Sequence, residues 1–247
     1  MNKIEDYARE LNRLPGKQEI TSYLLTNSNL PGPRGNLELA AAAAQTVDAS
    51  LLIEWTTLSA GDAPVNTAGE FLSFCGVFGQ GRLYNEGDPR ALDRIFWAAS
   101  DTRWRTREAA AMALQTIGKK DLNKLLKILP RFYNGKPYEQ RCAVAALCEP
   151  CLLKDKLVEH YPVQMLDIVT RAFAEFTDRK DEGFIALKKG LAYGWSVAAA
   201  ANLEYAKPFM EKWLQSDDKD VRWVMRENLK KNRLVRLDPE WVEHWKE

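Results

Sequence analysis

Asp101-Thr102-Arg103-Trp104-Arg105-Thr106-Arg107-Glu108 runs into Ala109-Ala110-Ala111-Met112-Ala113-Leu114, and its opening octet returns as Asp220-Val221-Arg222-Trp223-Val224-Met225-Arg226-Glu227. Both octets read D-x-R-W-x-x-R-E, and internal self-similarity of this kind is the mark of repeat architectures. A weaker copy, Tyr138-Glu139-Gln140-Arg141, leads into Cys142-Ala143-Val144-Ala145-Ala146-Leu147 and keeps an aromatic three residues before the arginine. Arg107 and Arg141 are 34 residues apart, about the length of one helical hairpin. Each part of the motif has physical work. Asp101 and Asp220 suit helix N-caps, where a carboxylate accepts from the first free amides. The alanine run combines high helix propensity with little bulk, so that another helix can come close.

Outward from these segments, apolar residues recur at helical spacing almost throughout, and alternating strand-like runs are nearly absent. Breakers punctuate the chain at Pro15-Gly16, Pro31-Gly32-Pro33, Gly61 to Pro64, Gly87-Asp88-Pro89, Gly118, Asn134-Gly135 and Asp217-Asp218. They delimit fourteen expected helices, the last at about 219–232 and 239–246. Short helices joined by short polar turns imply antiparallel neighbours. A single hairpin cannot bury its apolar face alone and must stack on others.

Asp101 to Leu114 resembles the second half of a HEAT repeat, where an aspartate-containing turn precedes an arginine and an alanine-rich inner helix. Asp217 to Leu229 is similar to the same signature. The likeness covers about 90–150 and 204–233 and is fainter in Phe184 to Ala201, where Lys188-Lys189-Gly190 replaces the arginine. It implies an all-α fold, a right-handed α-α superhelix with a concave face lined by inner helices. The expectation is one α-solenoid over 1–247: a less regular N-terminal region at 1–87 (a capping segment or a small helical subdomain), the clearest repeats at 88–233, and a capping helix at 234–247. Some HEAT-like proteins are DNA glycosylases for alkylated bases that use a tryptophan and an aspartate on the concave face. Trp97 and Asp101 are similar to that pair, although Asp101 already has work as an N-cap.

The chain carries 35 Lys+Arg against 34 Asp+Glu, a net charge of +1, so the molecule as a whole offers no strong field for nucleic acid or anionic membrane. That weighs against a dedicated duplex-DNA enzyme while leaving room for a local basic patch. Met1 to Asp6 is charged and has no apolar core, so it does not read as a secretory signal. No stretch approaches the roughly 20 apolar residues of a membrane helix. Four cysteines in helical segments fit a reducing compartment, and cytoplasm is the expected location.

Tempting chemical motifs have simpler explanations. Cys148-Glu149-Pro150-Cys151 has redox spacing, but its first cysteine falls at a helix C-terminus, which disfavours thiolate. With His160 and His244 the only histidines, zinc lacks a second ligand pair. Gly76-x-x-Gly79-x-Gly81 lacks the preceding strand and the lysine of a phosphate loop and reads as a small-residue helix face. No catalytic residue, metal or cofactor is assigned. Lys219 to Arg236 holds seven basic residues against two acidic ones, a local +5, with Arg222, Arg226 and Lys230 four apart on one helix. Trp104 and Trp223 each sit within cation–π reach of an arginine. The expected function is a non-catalytic interaction scaffold whose partner, a protein or another macromolecule, meets Arg103, Trp104, Arg105, Arg222, Trp223, Arg226 and Lys230. DNA binding, with or without glycosylase activity, is the alternative. The large residues Trp195, Tyr193, Phe184, Trp213 and Phe209 are expected to pack between hairpins.

Overall fold

A computed structural model describes residues 2–155 and 158–246. Every regular element among them is helical, in the order α1 (Lys3–Leu11), α2 (Lys17–Thr26), α3 (Leu37–Thr46), α4 (Ala49–Thr56), α5 (Ala68–Asn85), α6 (Arg90–Ala98), α7 (Trp104–Lys120), α8 (Leu122–Tyr133), α9 (Pro137–Leu147), α10 (Tyr161–Glu175), α11 (Glu182–Ala201), α12 (Leu203–Leu214), α13 (Lys219–Leu229), α14 (Asn232–Leu237) and α15 (Pro239–His244). The six-residue α14 is absent from the sequence expectation, which runs straight from α13 to α15. The chain divides into two compact units, Met1–Lys120 and Asp121–Glu247. Residues 88–120, expected with the repeats that follow them, pack with the N-terminal region.

In the first unit α3, α5 and α7 lie in successive layers, with α4 packed against α5 and α6 against both α5 and α7. Each layer begins at a polar cap: Asn36 accepts from Leu39 N–H, and Thr67 accepts from Glu70 N–H. Small residues set the spacing. Ala40, Ala42 and Ala43 of α3 and Ala109, Ala110 and Ala113 of α7 are fully buried. The glycines of the 76–81 segment lie inside α5 at close approaches to two neighbours. A Cβ on Gly76 would fall 2.8 Å from the Leu52 carbonyl oxygen of α4, and one on Gly81 would fall 2.3 Å from the Ala113 carbonyl oxygen of α7.

The second unit repeats the scheme with hairpins α8/α9, α10/α11 and α12/α13, whose second helices α9, α11 and α13 touch in turn. Asp181 caps α11 through Phe184 N–H. Phe173 and Phe184 stack with ring centroids 4.3 Å apart, and buried Trp195 donates from Nε1 to Thr170 Oγ1 at 3.0 Å. Fully buried Asn228 knits α13 to α11. Its Nδ2 donates to the carbonyls of Leu191 (2.9 Å) and Val224 (2.8 Å), and its Oδ1 accepts from Ser196 N–H (2.8 Å). Trp241 of α15 donates to Glu211 at 2.7 Å, tying the last helix to α12.

Two capping expectations are corrected. Asp218, not Asp220, caps α13 by accepting from the amides of Asp220 and Val221. Asp220 lies in the first helical turn and pairs with Lys188 at 2.7 Å. Asp101 precedes α7 by three residues and accepts from Arg103 N–H at 2.7 Å in a turn before the helix. Tyr193, expected inside, is exposed.

Candidate binding faces

The two D-x-R-W-x-x-R-E segments open α7 and α13, the last layer helix of each unit. In both, the first arginine turns away from solvent to the turn before its helix. Arg103 is 2% exposed. Its guanidinium donates to both oxygens of Asp101 (2.9 and 2.7 Å) and to the carbonyls of Leu58 (2.8 Å), Ser59 (3.3 Å) and Ala63 (3.2 Å). Arg222 donates to the Ser216 carbonyl at 2.5 Å. Arg107 likewise reaches the carbonyls of Asp101 (2.6 Å) and Thr102 (2.9 Å). These arginines fasten turns to helix starts. The tryptophans beside them face out: Trp104 is 47% exposed and Trp223 41%.

Arg105 is also buried. It pairs with fully buried Glu70 of α5 (Nη1–Oε2, 3.0 Å) and donates through Nη2 to the Gly32 carbonyl (2.8 Å) and Asn66 Oδ1 (3.4 Å). Asn66 takes the left-handed conformation at φ 61° and returns its amide to Glu70 (2.7 Å). The network holds the 32–35 connection against α5 and α7. Above it lies a cleft of about 230 Å³, walled by Leu37, Phe71, Phe74, Met112 and Trp104, with Gly35 and Arg105 also facing it. The Arg105 guanidinium lies 4.5 Å from the centre of the Trp104 ring.

In the second unit an open cleft of about 370 Å³ runs between α11 and α13, lined by Arg179, Ile185, Lys188, Lys189, Lys219 and Trp223 among others, with Asp220 the one acid. Lys188 sits 4.4 Å above the Trp223 ring while it pairs with Asp220. Arg179 pairs with Asp218 at 2.7 Å and packs over Phe184. Lys189, Lys219 and Arg226 are exposed, and no described residue pairs with them. Helical spacing puts 219, 223, 226 and 230 on one face of α13, and 185, 189 and 193 on one face of α11. Lys230 is held by Glu227 (2.5 Å), and Arg233 donates to the exposed Tyr193 hydroxyl at 2.9 Å. Of the seven residues expected as contacts, Trp104, Trp223, Arg226 and Lys230 are exposed, Arg222 is half-buried, and Arg103 and Arg105 are buried. Sequence reasoning counted Lys219 in the basic run without assigning it as a contact, and missed Lys189 and Tyr193 as members of this face. Their i, i+4 spacing on α11 and α13 was the available signal.

The remaining candidates are equally well placed. Trp97, at the end of α6, is 73% exposed, whereas both carboxylate oxygens of Asp101 are taken up by Arg103. Cys148 is the C-cap of α9, and burial pushes its thiol up to about 12. Burial also raises the Cys75 thiol. Cys151 is exposed, and all four cysteines are free. His160 stacks on Tyr205, and among the described residues no His/Cys/Asp/Glu cluster has the makings of a metal site. No described helix is long and apolar enough to cross a membrane.

No protein-family profile matches the chain, and no curated protein matches it. Among solved structures it is similar to a designed armadillo repeat protein, with 18% identity over 94% of this chain and 99% of that one, at a TM-score of 0.33.

Proposed function

We propose that this chain is a non-catalytic binding scaffold of the HEAT-like kind, whose α11/α13 face takes an acidic, extended protein segment. One observation carries the reading. Exposed Lys189 and Lys219, paired with no described residue, line one cleft with exposed Trp223, and helical spacing continues that face to exposed Arg226 on α13 and Tyr193 on α11. Surface cations usually solvate a helix without further purpose. Here they share a face with large aromatics, whose exposure costs solvation free energy that a partner would recover. Lysine and arginine supply steering and salt-sensitive attraction, and tryptophan supplies the anchoring area typical of interface hot spots. A net charge near zero favours a short acidic stretch over a long polyanion. The free cysteines fit a reducing, cytoplasmic setting.

The test is fluorescence polarisation with a labelled glutamate-rich peptide carrying one phenylalanine, alongside a single-stranded oligonucleotide of equal charge, over a salt series. Preference for the peptide is expected, with affinity falling as salt rises. Trp223→Ala is expected to weaken binding by about 2 kcal/mol, the size of an interface hot spot. Lys189→Glu with Arg226→Glu is expected to flatten the salt dependence. Equal or tighter oligonucleotide binding would transfer the face to nucleic acid, and absence of both at low salt would remove the reading.

A further inference from the structure

Four cations line the α11/α13 cleft, and two of them are spent within the fold. Lys188 pairs with Asp220 at 2.7 Å, and Arg179 pairs with Asp218 at 2.7 Å. Asp181, the cap of α11, is turned to Phe184 N–H. Lys189 and Lys219 are exposed and pair with no described residue, so four cations stand against Asp218 and Asp220 and leave a charge of +2. The two lysines are nearly level. α11 and α13 run in the same direction at an offset of 32, which joins Lys188 to Asp220 and Ser196 N–H to Asn228. Lys189 is therefore level with Val221, two residues or about 3 Å beyond Lys219 along the helices. By the same offset Ile185 is level with Asp217. Exposed Ile185 and exposed Trp223, which also line the cleft, thus stand on either side of the lysines.

Same-side residues of an extended chain are about 7 Å apart, so a segment laid along this groove meets both lysines with a single residue. A carboxylate in that place would neutralise one ammonium and leave the other. A phosphorylated side chain brings about −1.5 to −2 at neutral pH and three acceptor oxygens, enough for both. We infer, building on the acidic-segment reading of this face, that the residue between Lys189 and Lys219 is a phosphoserine or phosphothreonine. An apolar residue two positions away on each side lies against Trp223 and Ile185, which covers the exposed apolar area at the two ends of the cleft.

The test uses peptides with the core Phe-Glu-X-Glu-Phe, where X is phosphoserine, glutamate or serine, titrated into the full chain by fluorescence polarisation. The glutamate peptide carries one extra terminal glutamate, so its total charge matches that of the phosphopeptide. Phosphoserine is expected to bind about ten-fold more tightly than glutamate, the worth of one added charge-assisted hydrogen bond, with serine weakest. Lys189→Gln and Lys219→Gln are each expected to cut that preference to about two-fold or less. Lys127→Gln removes an exposed lysine of α8 outside the cleft and is expected to leave the preference unchanged. Inorganic phosphate, lacking the flanking rings, is expected to displace the phosphopeptide only at far higher concentration. Equal affinity for the phosphoserine and glutamate peptides would overturn the phosphate assignment while the acidic-segment reading stands. A preference that survives both lysine substitutions, or displacement by inorganic phosphate at the peptide's own concentration, would overturn it as well. Absence of binding by every peptide at low salt would remove both.

Discussion

Replacing Arg103 by methionine separates a turn-fastening arginine from a partner-contacting one. The side chain is 2% exposed and makes five hydrogen bonds, two to Asp101 and three to carbonyls in the 58–63 connection. Methionine fills much of the space and satisfies none of these groups. Three carbonyls lose a charged donor at about 1 kcal/mol each, and Asp101 loses its counter-ion at about 1–2 kcal/mol more. The expected cost is about 4 kcal/mol, a fall in melting temperature of roughly 8–16 °C by circular dichroism for a chain of this size. Arg103→Lys keeps the charge but not the planar fork, so it recovers only a minor part. Asp101→Asn leaves the three carbonyl bonds intact and costs about 1–2 kcal/mol. Affinity for the acidic peptide, measured on the folded fraction, stays unchanged in all three. A Met variant that melts within about 2 °C of the parent, or one that melts normally and loses peptide, would refute the assignment.

Gly81→Ala gains about 1 kcal/mol of helix propensity but drives a methyl into the Ala113 carbonyl, so a net loss of about 2 kcal/mol is expected from chemical denaturation. Gly190→Ala, whose Cβ meets only the flexible Arg141 side chain at 3.2 Å, is expected to be neutral or slightly stabilising in the same assay; equal losses at both glycines would contradict the close-approach account. Asn228→Ala strands Ser196 N–H and empties a buried site, with an expected cost of about 3 kcal/mol, and a loss under about 1 kcal/mol would argue against the bridge. Burial holds the Cys75 and Cys148 thiols neutral well above pH 8 and shields Cys142 from reagent, so iodoacetamide on the native chain should give a single adduct, at Cys151, by mass spectrometry; a second adduct on folded protein would count against it.

The all-helical, hairpin-stacked nature of the chain was legible from residue order because its determinants are local. Apolar period, caps, breakers and the alanine runs act within a few residues of themselves. The repeated D-x-R-W-x-x-R-E octet marked the starts of α7 and α13 for the same reason, and the C-terminal position of Cys148 followed from helical spacing in 141–147. What tertiary structure alone decided is which members of that octet meet solvent. Arg103 and Arg105 are two residues apart in a strongly basic run, yet one is consumed by carbonyls some 40–45 positions away and the other by Glu70, 35 positions away. No periodicity reveals that, because it depends on where a distant loop crosses. Spacing pairs Lys189 with Tyr193 on α11 and Lys219 with Trp223 on α13, but the two pairs become one face only when α11 and α13 lie side by side. Charge and shape are properties of single residues, but their availability to a partner depends on what the rest of the chain has already taken.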